Sequence, residues 1–252
     1  MIKVGLVGFG KAGQAVAQVL QEDPRYELCW IARRSAADPA KTAPSPDLPM
    51  VALASNEDWG QWLDAHPVDA LVDFSSPESL HLYGEQLRRR GLMLVSAISA
   101  YSAVDLDYAH TLASHARVLC SPNITVGINF LIMAARLLRK IAPFADVEIV
   151  EQHFREKPEV SGTARKIAQT IAVNEDHITS LRLGGIVGHH EVIFGFPYQT
   201  VRLIHSAIER RAFGTGAAFA LNELAQCENG FYTFDDLMMR MVKKELGVNH
   251  SS

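Results

Sequence analysis

Cysteine is scarce in this chain. Its 252 residues contain three, Cys29, Cys120 and Cys227, spaced too widely for a C-x-x-C metal or redox motif. Two of them sit in apolar stretches, which fits reduced thiols in a cytosol better than a disulfide framework. H-x-x-x-H spacing is missing too, so no zinc site is expected. The adjacent His189 and His190 fall in a strand-like run whose neighbours face opposite ways. One of them is expected to make a turn or sheet hydrogen bond, and the pair is not expected to share an ion. No apolar run is long enough to span a bilayer, and the first apolar segment meets glycine at once, so neither a membrane anchor nor a secretory signal is expected and the cytoplasm is the expected location. Positive charge is not in excess either. The 24 Lys and Arg against 28 Asp and Glu leave a net charge of −4, without the basic stripe that nucleic acid requires. Internal repeats are absent. What remains is a soluble globular composition, 48% hydrophobic and 21% charged, in a chain long enough for one large domain or two modest ones.

The N-terminus carries the first positive signal. Residues 2–7 form a short apolar strand that runs into Gly8-Phe9-Gly10-Lys11-Ala12-Gly13 and then a helix expected over 14–21. This is G-x-G-x-x-G in strand–turn–helix context, the dinucleotide fingerprint: Gly8 permits the tight turn, Gly10 lets a pyrophosphate approach the backbone, and Gly13 allows close helix packing. A second strand, expected over 26–31, should end at the adenosine ribose. There the chain presents Arg33, Arg34 and Ser35 in place of the Asp or Glu that favours NAD. Two guanidiniums and a hydroxyl suit a 2′-phosphate, so NADPH is the preferred donor and NADH a possible one.

The richest segment is Glu151-Gln152-His153-Phe154-Arg155-Glu156-Lys157-Pro158-Glu159-Val160-Ser161-Gly162-Thr163-Ala164. A strand precedes it over 146–150 and an amphipathic helix follows over 164–172, placing Ser161, Gly162 and Thr163 at a helix start whose backbone N–H groups can hold a carboxylate or phosphate. An ordinary Ser or Thr N-cap would look the same in isolation. Beside it, His153 offers an imidazole matched to proton transfer near neutral pH and Lys157 an ammonium that anchors a carboxylate or favours developing charge.

That segment resembles the signature of the dihydrodipicolinate reductases, E-x-H-H-x-x-K-x-D-A-P-S-G-T-A, enzymes that reduce a cyclic imine dicarboxylate with NADH or NADPH in lysine and diaminopimelate biosynthesis. Glu151, His153, Lys157 and Ser161 through Ala164 match. Phe154 replaces the second histidine, and Glu159-Val160 stands for D-A-P, one residue short. The resemblance implies acid/base roles for His153 and Lys157, substrate contact at Phe154 and Ser161, and a carboxylate cradle at Gly162 and Thr163. Further segments extend it: Asp73-Phe74-Ser75-Ser76-Pro77-Glu78 resembles D-F-[ST]-x-P-E, and the run from Arg182 to Gly195 resembles the G-x-x-G-x-H-x-V-x-F block. Cofactor contacts implied by position fall on Ala97, Ile98 and Ser99, where the family's nicotinamide segment G-T-T-G is otherwise changed, and on Ser121, Pro122, Asn123 and Ile124, where the chain crosses to the second domain.

The expected fold class is α/β: a Rossmann dinucleotide-binding domain from residues 1–123 and 232–252, and an α+β substrate and oligomerisation domain from 124–231. The second domain is expected to hold a helix over 128–141 and a mostly antiparallel sheet from strands over 147–153, 178–186, 191–194 and 199–206. Residues 36–49 read as a loop near the adenosine end, 234–246 as a final helix, and 249–252 as a frayed tail. By resemblance the open sheet face builds a homotetramer, with 192–194 and 201–204 as its apolar contacts. The expected activity is reduction of a small carboxylated cyclic imine. The alternatives are a reductase of another cyclic imine or imino acid in secondary metabolism, or a catalytically silent nucleotide-binding scaffold.

Overall fold

The structure, a computed structural model, describes residues 1–34, 48–53 and 58–247. In chain order its elements are β1 (Ile2–Val7), α1 (Lys11–Glu22), β2 (Tyr26–Arg33), β3 (Met50–Ala52), α2 (Trp59–Ala65), β4 (Ala70–Asp73), α3 (Pro77–Arg90), β5 (Met93–Ser96), α4 (Ala103–Leu112) and β6 (Arg117–Cys120). There follow α5 (Val126–Ile141), β7 (Asp146–His153), α6 (Gly162–Thr170), β8 (Ile178–Arg182), β9 (Gly188–Phe196), β10 (Gln199–Ala207), α7 (Arg211–Leu224), β11 (Gly230–Tyr232) and α8 (Phe234–Glu245). They divide into two compact units, Met1–Ile124 with Phe213–Ser252, and Thr125–Ala212.

The first unit is built on a seven-stranded sheet of order β11-β6-β5-β4-β1-β2-β3, parallel at every pairing. Parallel strands are covered on both faces and so read as continuous apolar runs. Accordingly, all four residues of β4 (Ala-Leu-Val-Asp) and of β5 (Met-Leu-Val-Ser) are buried. Strand order reverses between β1 and β4, a switch point at which the loops beyond the carboxyl ends of the strands part and leave a crevice. Helix α1 turns Val16, Ala17 and Leu20 inward, the helical spacing of a one-sided apolar stripe.

The return to this unit comes at Phe213, earlier than the residue 232 expected from sequence. The Tyr26 hydroxyl donates to the Ala218 carbonyl at 2.6 Å, Gly214 lies against Val19, and β11 pairs with β6. Helix α1 begins at Lys11, three residues before the expected start, so that Gly13 lies within its first turn. Strand β2 runs on through Arg33, which is therefore a buried strand residue. Of the expected 36–49 loop, residues 36–47 fall outside the described residues, as do Ser35 and the 249–252 tail.

The second unit holds a four-stranded sheet of order β10-β9-β7-β8, antiparallel except at β7–β8. Alternation along β7 buries Val147, Ile149, Glu151 and His153 on one face, where Ile128 and Leu131 of α5 and Ile167 and Ala168 of α6 complete a core with Val192 and Phe194. Val192 and Phe194, expected as oligomer contacts, point into that core because they share its face. Ile193 and Ile204 stand on the opposite, open face, beside an Arg202–Glu191 ion pair of 2.6 Å. Strand β8 stops at Arg182, short of the expected 186, where the chain bends and Gly184 takes φ +50°.

Candidate functional site

The glycine loop is shaped by close approach. Gly8 takes φ +92°, and a Cβ there would lie 2.6 Å from the Phe74 backbone. At Gly13 a Cβ would come within 2.1 Å of the Gly8 carbonyl oxygen, whereas at Gly10 nothing stands within 4 Å. Two glycines are thus fixed by packing and the third leaves open space, as a backbone that must receive a pyrophosphate would. Gly8, Phe9, Gly10, Arg33 and Arg34 line a cleft of about 510 Å³ together with Leu53 and residues of the turn after β4. Lys11, Ala12 and Gly13 continue from the loop as the first turn of α1.

The sequence alone assigns that turn no binding role. Phe74, Ser75, Ser76, Glu78 and Ser79 contribute to the cleft, and the signal for it is the position of Asp73-Phe74-Ser75 at the end of β4. Asp73 itself is fully buried. It accepts from the Ser75 N–H at 2.8 Å, the Ser75 hydroxyl at 2.5 Å and the Tyr83 hydroxyl at 2.5 Å. Burial pushes its carboxyl up to about 6, although these hydrogen bonds oppose the rise.

The other candidate cofactor residues also follow strands at the same end of this sheet. Ala97 donates its N–H to the Asp73 carbonyl at 2.9 Å, Ile98 is buried and Ser99 exposed. After β6, the Ser121 hydroxyl donates to the Asn123 carbonyl at 2.7 Å; Pro122 is exposed and Ile124 buried. Neither segment lines the 510 Å³ cleft.

In the second unit, His153 closes β7 and its ring is held at Nδ1, 2.5 Å from Glu151 Oε2. Its Nε2 makes no hydrogen bond among the described residues. Burial lowers the His153 pKa from its ordinary value, while the Glu151 carboxylate raises it. Glu151 has no exposed surface. Its burial favours the neutral acid, but donors from Arg182, Ser180, His153 and Ser161 outweigh that and hold it at about 2.

Ser161 caps α6, its hydroxyl accepting from the Ala164 N–H at 3.4 Å. Gly162 is exposed, and its N–H makes no hydrogen bond among the described residues. Lys157 is half-buried in the loop between β7 and α6, with no carboxylate partner for its ammonium among the described residues. Phe154, next to His153, is 38% exposed in a loop of charged residues. Thus β7, the loop after it and the start of α6 gather His153, Phe154, Lys157, Ser161, Gly162 and Thr163 within one stretch of chain.

Sequence reasoning marks His190 as the histidine of the G-x-x-G-x-H-x-V-x-F block and as one of an adjacent pair, without a place in the site. His190 is buried on β9, its Nε2 lies 2.8 Å from the Ser161 hydroxyl, and its ring meets that of His153 edge-on at 5.3 Å. Burial, seconded by His153, pushes its pKa down to about 3. His189 faces the other way and bonds the Ser206 hydroxyl at 2.8 Å. Each of the adjacent histidines has its own hydroxyl partner. Among the described residues no cluster of three or more metal-ligating side chains is found, and no helix is long and apolar enough to cross a membrane.

Two family signatures cover this chain nearly end to end: "Dihydrodipicolinate reductase, N-terminus" matches residues 2–124 and "Dihydrodipicolinate reductase, C-terminus" matches residues 123–238. The chain belongs to the dihydrodipicolinate reductase family. As a member of that family it is an NAD(P)H-dependent oxidoreductase. It is 28% identical over 253 residues to the 4-hydroxy-tetrahydrodipicolinate reductase of Caldanaerobacter subterraneus subsp. tengcongensis, covering 92% of this chain and 95% of that protein. It is 31% identical over 196 residues to that of Clostridium perfringens (strain SM101), covering 68% and 76%. Among solved structures, the dipicolinate-bound dihydrodipicolinate reductase of Paenisporosarcina sp. TG-14 shares the fold, with a TM-score of 0.80, 22% identity, and coverage of 92% of this chain and 97% of that one. In this family member the glycine loop, with its open space at Gly10, fits a dinucleotide.

Proposed function

We propose that this reductase reduces the C=N bond of a small carboxylated cyclic imine, with NADPH as preferred donor. The observation that carries the reading is the placement of His153, clamped at Nδ1 by Glu151, in the same segment of chain as a helix start whose Gly162 N–H is unengaged among the described residues. The nicotinamide cofactor, when bound, supplies the hydride. The chain's own part is binding and proton handling. The N-terminus of α6 favours negative charge and offers N–H donors, so it holds one substrate carboxylate. The His153 imidazolium donates from Nε2 to the atom that gains a proton, and the Lys157 ammonium anchors the substrate and stabilises the charge that develops. Arg33 and Arg34 at the cleft support a contact with a 2′-phosphate.

Phe154 supports a substrate other than the family's dicarboxylate. A phenyl ring donates no hydrogen bond, so a second carboxylate facing it would lose a partner while an apolar ring edge would gain contact. Reduction of the lysine-pathway intermediate is the second reading, and a tetramer built on the open face of the second sheet, bearing Ile193 and Ile204, belongs to either.

The carboxylate cradle is tested by Gly162→Pro. Proline is tolerated as the first helical residue, and Ser161 already has the extended ψ of 125° that a following proline requires. The variant therefore removes one N–H donor with the helix intact. KM for a carboxylated imine is expected to rise roughly tenfold or more; an unchanged KM in a folded variant would remove the cradle.

A further inference from the structure

We infer that the ion pair between the buried Glu151 and the half-buried Arg182 is the positioning device of this site: it fixes the His153 imidazole so that Nε2 is the exchanging atom, and it ties the Lys157 loop and the start of α6 to the same point. The inference rests on the reading of His153 as the acid/base residue.

A carboxylate with no exposed surface is costly unless paired and fully hydrogen-bonded. Glu151 has five donors. Arg182 gives Nη1 to Oε2 at 3.0 Å and Nη2 to Oε1 at 2.9 Å; the Ser180 hydroxyl reaches Oε1 at 2.7 Å, the Ser161 N–H reaches Oε1 at 3.2 Å, and His153 Nδ1 reaches Oε2 at 2.5 Å. Two further Arg182 bonds go to one loop: Nε donates to the Lys157 carbonyl at 3.0 Å and Nη2 to the Glu159 carbonyl at 2.7 Å. One ion pair thus touches the imidazole, the backbone that carries Lys157, and the N-cap of α6. A pair that served stability alone would have no need to meet all three.

The tautomer follows from the acceptor. An ionised carboxylate only accepts, so Nδ1 carries the proton in both charge states of the ring, and the titrating proton is the one on Nε2. Once Nε2 has given its proton up, the neutral ring left behind is the form that Glu151 holds. The groups facing His153 are Glu151 on its own strand, Lys157 in the loop, Arg182 on β8 and the neutral His190 on β9. Glu151 is the only negative one among these.

The test uses the full chain labelled with ¹⁵N-histidine, without substrate or cofactor, with His153 identified by the signals lost in His153→Gln. Wild type is expected to show a single Nδ1–H tautomer when neutral. In Glu151→Gln the amide oxygen still accepts from Nδ1, so the tautomer is retained, but the counter-charge is gone and the titration midpoint falls by about one pH unit or more. The falling limb of kcat against pH moves down with it. Replacing the pair together, Glu151→Leu with Arg182→Met, leaves no buried charge and is expected to give a mixture of tautomers. If that double variant does not fold, the Glu151→Gln midpoint decides alone. An unshifted midpoint in Glu151→Gln, or a wild-type tautomer in the folded double variant, overturns the inference whatever the protein reduces. Failure of the wild type to reduce any imine removes the acid/base reading and leaves these ring measurements standing, so the two failures are told apart.

Discussion

The Nδ1 atom of His153 lies 2.5 Å from a carboxylate oxygen of Glu151, and it is the other ring nitrogen, Nε2, that has no partner among the described residues. A ring held in this way is aligned before substrate arrives, which is what a proton donor needs. Replacement of His153 by Gln, or of Lys157 by Met, is expected to lower kcat by roughly two to four powers of ten. Cofactor affinity should stay near wild type, because both residues lie in the Thr125–Ala212 unit and the glycine loop lies in the other. Turnover measured beside a cofactor titration checks both halves. Near-normal kcat in both variants would exclude them from proton transfer.

The three glycines of the loop are expected to respond differently to alanine. Gly13→Ala drives a Cβ to 2.1 Å from the Gly8 carbonyl oxygen and should lower the melting temperature with no cofactor present. Gly10→Ala meets nothing within 4 Å, so it should fold with wild-type stability and lose cofactor affinity alone. Thermal melts of the free protein and cofactor titrations separate the two effects. A destabilised Gly10→Ala, or one that binds as wild type does, would contradict the loop's assignment.

Cofactor choice is expected to rest on Arg34. Arg33 is buried within β2, so its removal disturbs packing as well as charge, whereas Arg34 is exposed beside the cleft. Arg34→Ala should weaken NADPH roughly tenfold to a hundredfold and leave NADH nearly unchanged. Equal losses for both cofactors would mean that no 2′-phosphate is read there.

Local features of this chain are legible in its sequence, and relationships across strands are not. The β1–loop–α1 unit declares itself because glycine spacing and an apolar run suffice to define it, and the helix start at Ser161 follows from a hydroxyl ahead of a periodic stretch. Arg182 and His190 give no such sign of their partners. Arg182 lies 31 positions from Glu151 and His190 lies 29 from Ser161; the register of β7 with β8 and β9 sets Arg182 opposite His153 and His190 opposite Glu151, and the bond from the Ser161 N–H to Glu151 brings the start of α6 to the same place. The same limit applies to β11, a three-residue strand whose pairing with β6 is set by tertiary contact, and to the early return at Phe213. Strand β8 ends sooner than its sequence suggests because Leu183 prolongs the apolar pattern, while Gly184 turns the backbone out of it.

Acid sensitivity should be traceable to His190. Its folded pKa is lowered from 6.5 to about 3, first by burial, so the folded state resists a proton that the unfolded state accepts. The stability it contributes is therefore complete above 6.5 and is lost as pH falls toward 3, at roughly 1.4 kcal/mol for each pH unit crossed. The carboxylate of Glu151, depressed from 4.5 to about 2, loses its contribution only at lower pH. His190→Gln should accordingly make stability less steep between 6.5 and about 5, a window in which Asp73, raised to about 6, is also protonated in the folded state but contributes equally to wild type and variant. Denaturant midpoints across that window provide the check. An unchanged slope would mean that His190 is readily protonated in the folded protein.

Reduction of a carboxylated cyclic imine, with Phe154 setting which one, is tested most directly by steady-state NADPH consumption. Wild type and Phe154→His are compared on monocarboxylated cyclic imines and on 4-hydroxy-tetrahydrodipicolinate. Wild type is expected to reduce at least one monocarboxylated imine with kcat/KM on the order of 10⁴ M⁻¹s⁻¹ or above, and to handle the dicarboxylate less well, with Phe154→His improving it. Efficient wild-type reduction of the dicarboxylate with no gain in Phe154→His would return the protein to the lysine-pathway reaction, and failure to reduce any of these imines with either cofactor would contradict the account.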